Sequence, residues 1–207
     1  MIAQGSPEWL QLRCGKVTAS RVADIVRKTK TGVSASRARY LGELVAERLT
    51  NVPATTFKSA DMEWGNATEA SARQFYAFMG DFNLEPVAFV DHPRIPMAGA
   101  SPDQLVDHDG LLEIKCPATH THIETLLTGE IDPDYVKQMM WQMACTGRRW
   151  CDYVSYDPRM PEDMRMFQRR VTRDDVVIGQ LEREVELFLG EVDDTIKRLR
   201  NQYAEAA

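Results

Sequence analysis

The sequence predicts an α/β fold in which a central mixed β-sheet is flanked by α-helices. Three observations predict it. Apolar residues recur at helical spacing before residue 80, short alternating segments separated by a turn signal follow between residues 84 and 116, and Leu181, Val185, Phe188, Leu189, Val192, Ile196 and Leu199 form a helical stripe near the end.

In chain order, helices are expected over residues 19–28, 34–49 and 60–79, where Phe75, Phe78 and Met79 fall near helical spacing. Strands are expected over residues 84–90, 103–107 and 111–116. Two helices follow, over 122–128 and 134–146, the second started by Pro133 and Asp134 and stopped by Gly147. Residues 150–156 alternate as a strand with 164–171 as its partner. Residues 174–203 make a long amphipathic helix whose stripe serves the core or a subunit contact.

With 207 residues and 43% hydrophobic content, the chain can bury one substantial core, so a single domain over 1–207 is expected. No apolar run is long enough to span a bilayer and no targeting pattern opens the chain, which points to the cytoplasm. Cys14, Cys116, Cys145 and Cys151 lack metal or disulfide spacing, and His120 and His122 read as solvated loop residues. The net charge of −6 opposes a generally basic nucleic-acid-binding surface. Its distribution leaves two candidate basic faces, one with Arg148, Arg149, Arg159, Arg165, Arg169, Arg170 and Arg173, the other with Arg27, Lys28, Lys30, Arg37 and Arg39.

The chemistry concentrates between Ser101 and Cys116. Asp109-Gly110 marks a hairpin turn. A three-residue loop over 108–110, with Gly110 left-handed, pairs Asp107 with Leu111, Leu105 with Glu113 and Asp103 with Lys115. Asp103, Glu113 and Lys115 then share one face, while Leu112, Ile114 and Cys116 point into apolar packing. Two carboxylates and the Ile114 carbonyl suit a hard divalent cation, and Lys115 suits a phosphate or the water that attacks it. Taken alone, the same charges would also decorate an exposed strand.

Six ordered segments give that cluster a context: residues 12–20 (LRCGKVTAS), 64–69 (WGNATE), 101–103 (SPD), 113–117 (EIKCP), Gln138, and 156–159 (YDPR). Together they resemble the lambda exonuclease and YqaJ-like viral recombinase family within the PD-(D/E)xK nuclease superfamily. The resemblance implies a restriction-endonuclease-like core and a processive 5′-to-3′ exonuclease acting on double-stranded DNA ends, releasing 5′ mononucleotides and leaving a 3′ overhang. It implies Mg2+, with Mn2+ as a substitute, held by Asp103, Glu113 and the Ile114 carbonyl, with Lys115, Glu69 and Gln138 also catalytic. Arg13, Ser20 and Ser101 match residues that hold the 5′ phosphate, and Met62 matches an apolar wedge between the strands. A homotrimeric ring, a single-strand annealing partner and a phage or prophage origin in a bacterial host are implied as well.

On the residues alone, Thr18 or Ser20 suits the cap of a helix that would favour a phosphate, and Arg13 suits a two-pronged contact with it. Glu69 also fits a solvated helical face, and Met62 ordinary packing at a helix start. The same centre in an internally cutting endonuclease, or a silent DNA-end-binding scaffold, are the alternatives. The intact acids and Lys115 argue against the scaffold.

Overall fold

The computed structural model of the chain describes residues 2–30, 32–54 and 60–204, apart from the side chains of residues 60–63 and 66. A short helix, α1 (Pro7–Arg13), opens the fold, with Ser6 Oγ accepting the Trp9 N–H and Pro7 in the first turn. After β1 (Val17–Thr18) the chain makes a 3₁₀ turn (Ala19–Arg21), α2 (Val22–Val26), the exposed hairpin β2 (Lys28–Thr29) and β3 (Gly32–Val33), and α3 (Ala35–Thr50). Then come α4 (Ala60–Gly80), β4 (Leu84–Glu85), β5 (Val90–Asp91), β6 (Ala98–Ala100), β7 (Gln104–Val106) and β8 (Gly110–Lys115). The remaining elements are α5 (Thr119–Thr128), α6 (Pro133–Thr146), β9 (Trp150–Tyr156), a 3₁₀ turn (Glu162–Met164), β10 (Met166–Thr172) and α7 (Asp175–Ala204).

Five strands form the main sheet in the order β10, β9, β8, β7, β4, with β8 and β9 parallel and the other neighbours antiparallel. The parallel step needs a crossover, which α5 and α6 supply. Alternation along β8 and β9 sends Leu111, Cys151 and Tyr153 into one apolar cluster with α2, α3, α6 and α7. It sends Leu112, Ile114, Val154 and Tyr156 into a second cluster with Ala72 and Tyr76 of α4. The α7 stripe is therefore core through Val192, with Ile196 and Leu199 packed at its margin.

A smaller sheet sets β6 between β1, parallel to it, and β5, antiparallel. Its Ala-Gly-Ala sequence has no strand periodicity to read. Small side chains are required there, because a Cβ on Gly99 would lie 2.3 Å from the Phe89 ring and 2.6 Å from the Val90 carbonyl oxygen. The Gly99 carbonyl also accepts the Trp141 indole N–H.

The structure corrects several expectations. The strand expected over 84–90 is split between the two sheets, because Pro86 offers no N–H to continue a ladder. The helix expected over 19–28 shrinks to the 3₁₀ turn and the five residues of α2, since Arg27 turns extended and Lys28 enters β2. α1 was not anticipated, although Ser6-Pro7 is a helix-start signal. His122 is not a solvated loop residue: it is fully buried in α5, between the Ser155 hydroxyl and the Met164 carbonyl, each 2.8 Å from one ring nitrogen. Because the Met164 carbonyl only accepts, Nε2 carries a proton and donates to it.

Several arginines of the first basic face are tied into the fold, while Arg149, Arg169 and Arg170 are exposed. Arg148 donates to the Val106, Asp107 and Gly110 carbonyls, Arg170 grips buried Asp152, and Arg169 and Arg173 bind the Gly129 and Met143 carbonyls. Of the second group, Arg27 pairs with Asp134 and Arg37 with Glu191.

Candidate active site

The β7–β8 hairpin has a three-residue loop, as expected, but one position earlier. Val106 pairs with Gly110 and Gln104 with Leu112, so the loop is residues 107–109 and Asp107, at φ 46°, takes the left-handed conformation in place of Gly110. The shift moves both strands together and preserves parity. Asp103 therefore falls level with Glu113 rather than Lys115, and Asp103, Glu113 and Lys115 still face one side.

Continuing that register sets Pro102 opposite Ile114. Proline has no N–H to give, so β7 supplies no donor for the Ile114 carbonyl. The Ile114 N–H, lacking its ladder partner, is taken by Asp103 Oδ2 at 2.6 Å. N–H and C=O of one strand residue point the same way, so the Ile114 carbonyl is turned toward Asp103. The proline-aspartate pair thus creates an unpaired carbonyl oxygen beside an oriented carboxylate.

Glu113 is almost fully buried, yet its carboxylate is met by donors on both oxygens. Lys115 Nζ and Gln138 Nε2 donate to Oε1 at 2.5 and 2.6 Å, and Gln142 Nε2 donates to Oε2 at 2.6 Å. Gln138 and Gln142 lie one turn apart on α6 and so share the face that covers β8. Lys115 also sits over the Tyr135 ring, 4.7 Å from its centroid. Burial alone would lower the Lys115 pKa, but the Glu113 and Asp103 carboxylates outweigh it and push it up, so Lys115 is an ammonium. Burial, reinforced by the Glu113 charge, pushes the Asp103 carboxyl well above its usual range.

Glu69, on α4, joins the edge of this cluster without a hydrogen bond to it. Burial raises its carboxyl, Arg73 opposes that from 3.9 Å, and the Glu113 charge raises it further. The start of α4 is held by the segment that follows β9. Asp157, one residue past β9, is buried and grips the Arg159 guanidinium and backbone N–H, and that guanidinium stacks 4.3 Å from the Trp64 ring centre. Burial would raise the Asp157 carboxyl, but the Arg159 contacts and a hydrogen bond from Thr119 hold it at about 2. Met62 lies in the first turn of α4, with its side chain outside the described residues.

A second group lies two residues upstream of Asp103. Ser101 Oγ accepts the Trp9 indole N–H at 3.0 Å, and the Arg13 guanidinium lies over the same Trp9 ring, 3.9 Å from its centroid. Burial lowers the Arg13 pKa, against the opposing influence of Tyr40 and Glu47. Glu47 does not occupy the guanidinium, because it accepts the Gly15 and Ala54 backbone N–H groups at 2.6 and 2.7 Å. The paired residues of β1 and β6 end at Thr18 and Gly99, and exposed Ser20 lies beyond them in the 3₁₀ turn. Neither Thr18 nor Ser20 caps a helix: no side-chain cap is formed, and the Thr18 N–H donates to the Tyr40 hydroxyl. α2 is also too short for a strong helix-end field, so any phosphate selectivity here rests on side chains.

The donor set is oxygen only: Asp103, Glu113 and the Ile114 carbonyl, with Glu69 nearby. The Cys116 thiol, one residue past β8, is pushed up to about 12 by burial and by the Glu69 and Asp103 charges. Among the described residues no three His, Cys, Asp or Glu side chains close into a metal cage. Such a set fits Mg2+, which binds through one or two carboxylates and completes its shell with water and substrate oxygens. Sequence reasoning missed Gln142; the signal was its one-turn spacing from Gln138.

Comparison with known proteins places this geometry. The model of the YqaJ-like viral recombinase domain matches residues 8–149, more than half of the chain. The crystal structure of an alkaline exonuclease, LHK-Exo, from Laribacter hongkongensis is 48% identical, with a TM-score of 0.90, over 98% of this chain and 100% of that one. LHK-Exo in complex with dAMP matches at the same identity and coverage with a TM-score of 0.92. A phage-related exonuclease from Haemophilus somnus, 15% identical with a TM-score of 0.67 over 89% of this chain and 96% of that one, shares the fold. No curated protein sequence matched. No helix among the described residues is long and apolar enough to cross a membrane.

Proposed function

Because the chain belongs to the YqaJ-like viral recombinase family, we propose that it is a Mg2+-dependent exonuclease of PD-(D/E)xK type that degrades one strand of double-stranded DNA from its 5′ end. It releases 5′ mononucleotides and leaves a 3′ single-stranded overhang for an annealing protein. The exonuclease named among its relatives supports the nuclease activity, and that relative's complex with dAMP, a deoxynucleoside monophosphate, supports the product. The observation that carries the reading is the placement of Asp103, Glu113 and Lys115 on one face, two residues from the Ser101, Trp9 and Arg13 group.

Asp103, Glu113 and the Ile114 carbonyl would hold the cation, and Glu69 adds negative charge beside it. When bound, Mg2+ supplies an acidified water and compensates charge on the phosphate. Lys115, a protonated amine, orients the attacking water and offsets the charge that builds on the phosphate oxygens. Gln138 holds Glu113 Oε1 and orients the same centre. Arg13, with Ser20 and Ser101, receives the terminal phosphate and sets which nucleotide lies at the cation, while Met62 separates the strands. Hydrolysis then places the new phosphate on the next 5′ end, so the product of each cycle is the substrate of the next. A trimeric ring around the duplex would keep the enzyme on it through those cycles.

The test compares linear duplexes with and without a 5′ phosphate and a covalently closed circle. Mg2+-dependent release of mononucleotides from the phosphorylated ends, with the circle untouched, is the expected result. Efficient cutting of the circle makes the protein an endonuclease instead.

A further inference from the structure

We propose that Gln142 is a positioning residue that aims the one remaining lone pair of Glu113 at the bound cation. The inference deepens the reading of Glu113 as a cation ligand and rests on it.

An ionised carboxylate offers two acceptor sites on each oxygen. Lys115 and Gln138 fill both on Oε1. Oε2 has one donor, Gln142, and so keeps one site in reserve. Where that site points is set by where Gln142 stands. Its amide is fully buried in α6 and fixed from its other end, since Cys151 Sγ on β9 lies 3.9 Å from Oε1 as a weak thiol donor. The Glu113 carboxylate, which only accepts, settles which way the amide is turned, and leaves the amide oxygen facing the thiol. β8, β9 and α6 thus converge on one amide whose only strong contact is a proposed ligand.

A purely structural amide would satisfy a buried acid and do nothing more. A positioning amide makes cation affinity depend on it. Outer partners of metal ligands commonly contribute about ten- to a hundredfold in metal affinity or activity. Gln142→Met keeps the length and volume of the side chain but removes the donor.

Mn2+ is titrated into the DNA-free protein by calorimetry, beside steady-state assays on phosphorylated ends. Gln142→Met is expected to weaken Mn2+ binding, to raise the Mg2+ concentration at half-maximal rate by a matching factor, and to leave KM for DNA ends unchanged. Gln142→Asn, whose amide is drawn back by one methylene, has the same expected outcome and serves if the methionine variant does not fold. Unchanged Mn2+ affinity in a folded variant overturns the proposal, as does a loss confined to KM. Glu113→Gln in the same titration separates the two claims. If it loses Mn2+ binding while Gln142→Met keeps it, only the positioning role falls; if it binds Mn2+ normally, the ligand reading of Glu113 falls first.

Discussion

Glu113 and Arg13 anchor two neighbouring groups that are built by opposite means. Glu113 stands in the second strand of a tight hairpin, inside the main sheet, with three donors from β8 and α6 closing on its two oxygens. Arg13 ends a seven-residue helix on no sheet at all, is steadied by the Trp9 ring, and reaches Ser101 only through that indole. One group is held by ladder register and buried hydrogen bonds, the other by a single aromatic bracket between distant segments. On the proposed function, the chemistry, which must place an acid within fractions of an ångström, falls to the group held by register, and capture of a chain end to the bracketed one.

The sharpest way to break that contrast is to cut the half held by register. Lys115→Ala removes the one cation that touches Glu113 among the described residues and is expected to lower kcat on phosphorylated duplex by about 10²–10³-fold, the scale of losing one charge-stabilising donor. Binding to duplex ends in Ca2+, measured by fluorescence anisotropy, should hardly change. Unaltered nucleotide release would remove Lys115 from the mechanism.

Arg13→Ala tests the other half and should cost less. A hydrogen bond to a charged group contributes about 1.5–3 kcal/mol, so the preference for phosphorylated over unphosphorylated ends should shrink by about ten- to a hundredfold. The rate on unphosphorylated ends is expected to stay near its original value. Equal losses on both ends would mean that Arg13 braces the fold and does not read the phosphate.

These two halves were also unequally legible in the sequence. The acid pair and Lys115 lie within thirteen residues, and period-two alternation is enough to put them on one face whichever of two even registers the hairpin takes. That tolerance explains why a loop misplaced by one position still left the site intact. Gln138 followed from resemblance alone, because nothing local says which face of α6 meets β8. Arg13, Ser20 and Ser101 were joined by motif order, while the residue that physically connects two of them, Trp9, was passed over. Its partners Ser101 and Ala88 lie 92 and 79 residues away, and neither periodicity nor spacing carries that information. The expected helix cap failed because the chain makes a 3₁₀ turn over Ala19–Arg21 and α2 begins only at Val22, which leaves Arg21 and not Thr18 or Ser20 at its start. A run of arginines in sequence does not reveal which of them also donate to carbonyls inside the same chain, as Arg148 and Arg173 do.

The smallest effect belongs to the bracket itself. Trp9→Phe keeps an aromatic face beneath Arg13 but deletes the indole N–H that reaches the Ser101 hydroxyl and the Ala88 carbonyl. A neutral hydrogen bond contributes about 0.5–1.5 kcal/mol, so phosphate discrimination should weaken by about two- to tenfold, less than in Arg13→Ala. Combining Trp9→Phe with Arg13→Ala should add little to Arg13→Ala alone, because the indole acts by holding the guanidinium and Ser101 together. Fully additive losses in that double-mutant cycle would show that Trp9 and Arg13 act independently, and that half of the site would then have no bracket.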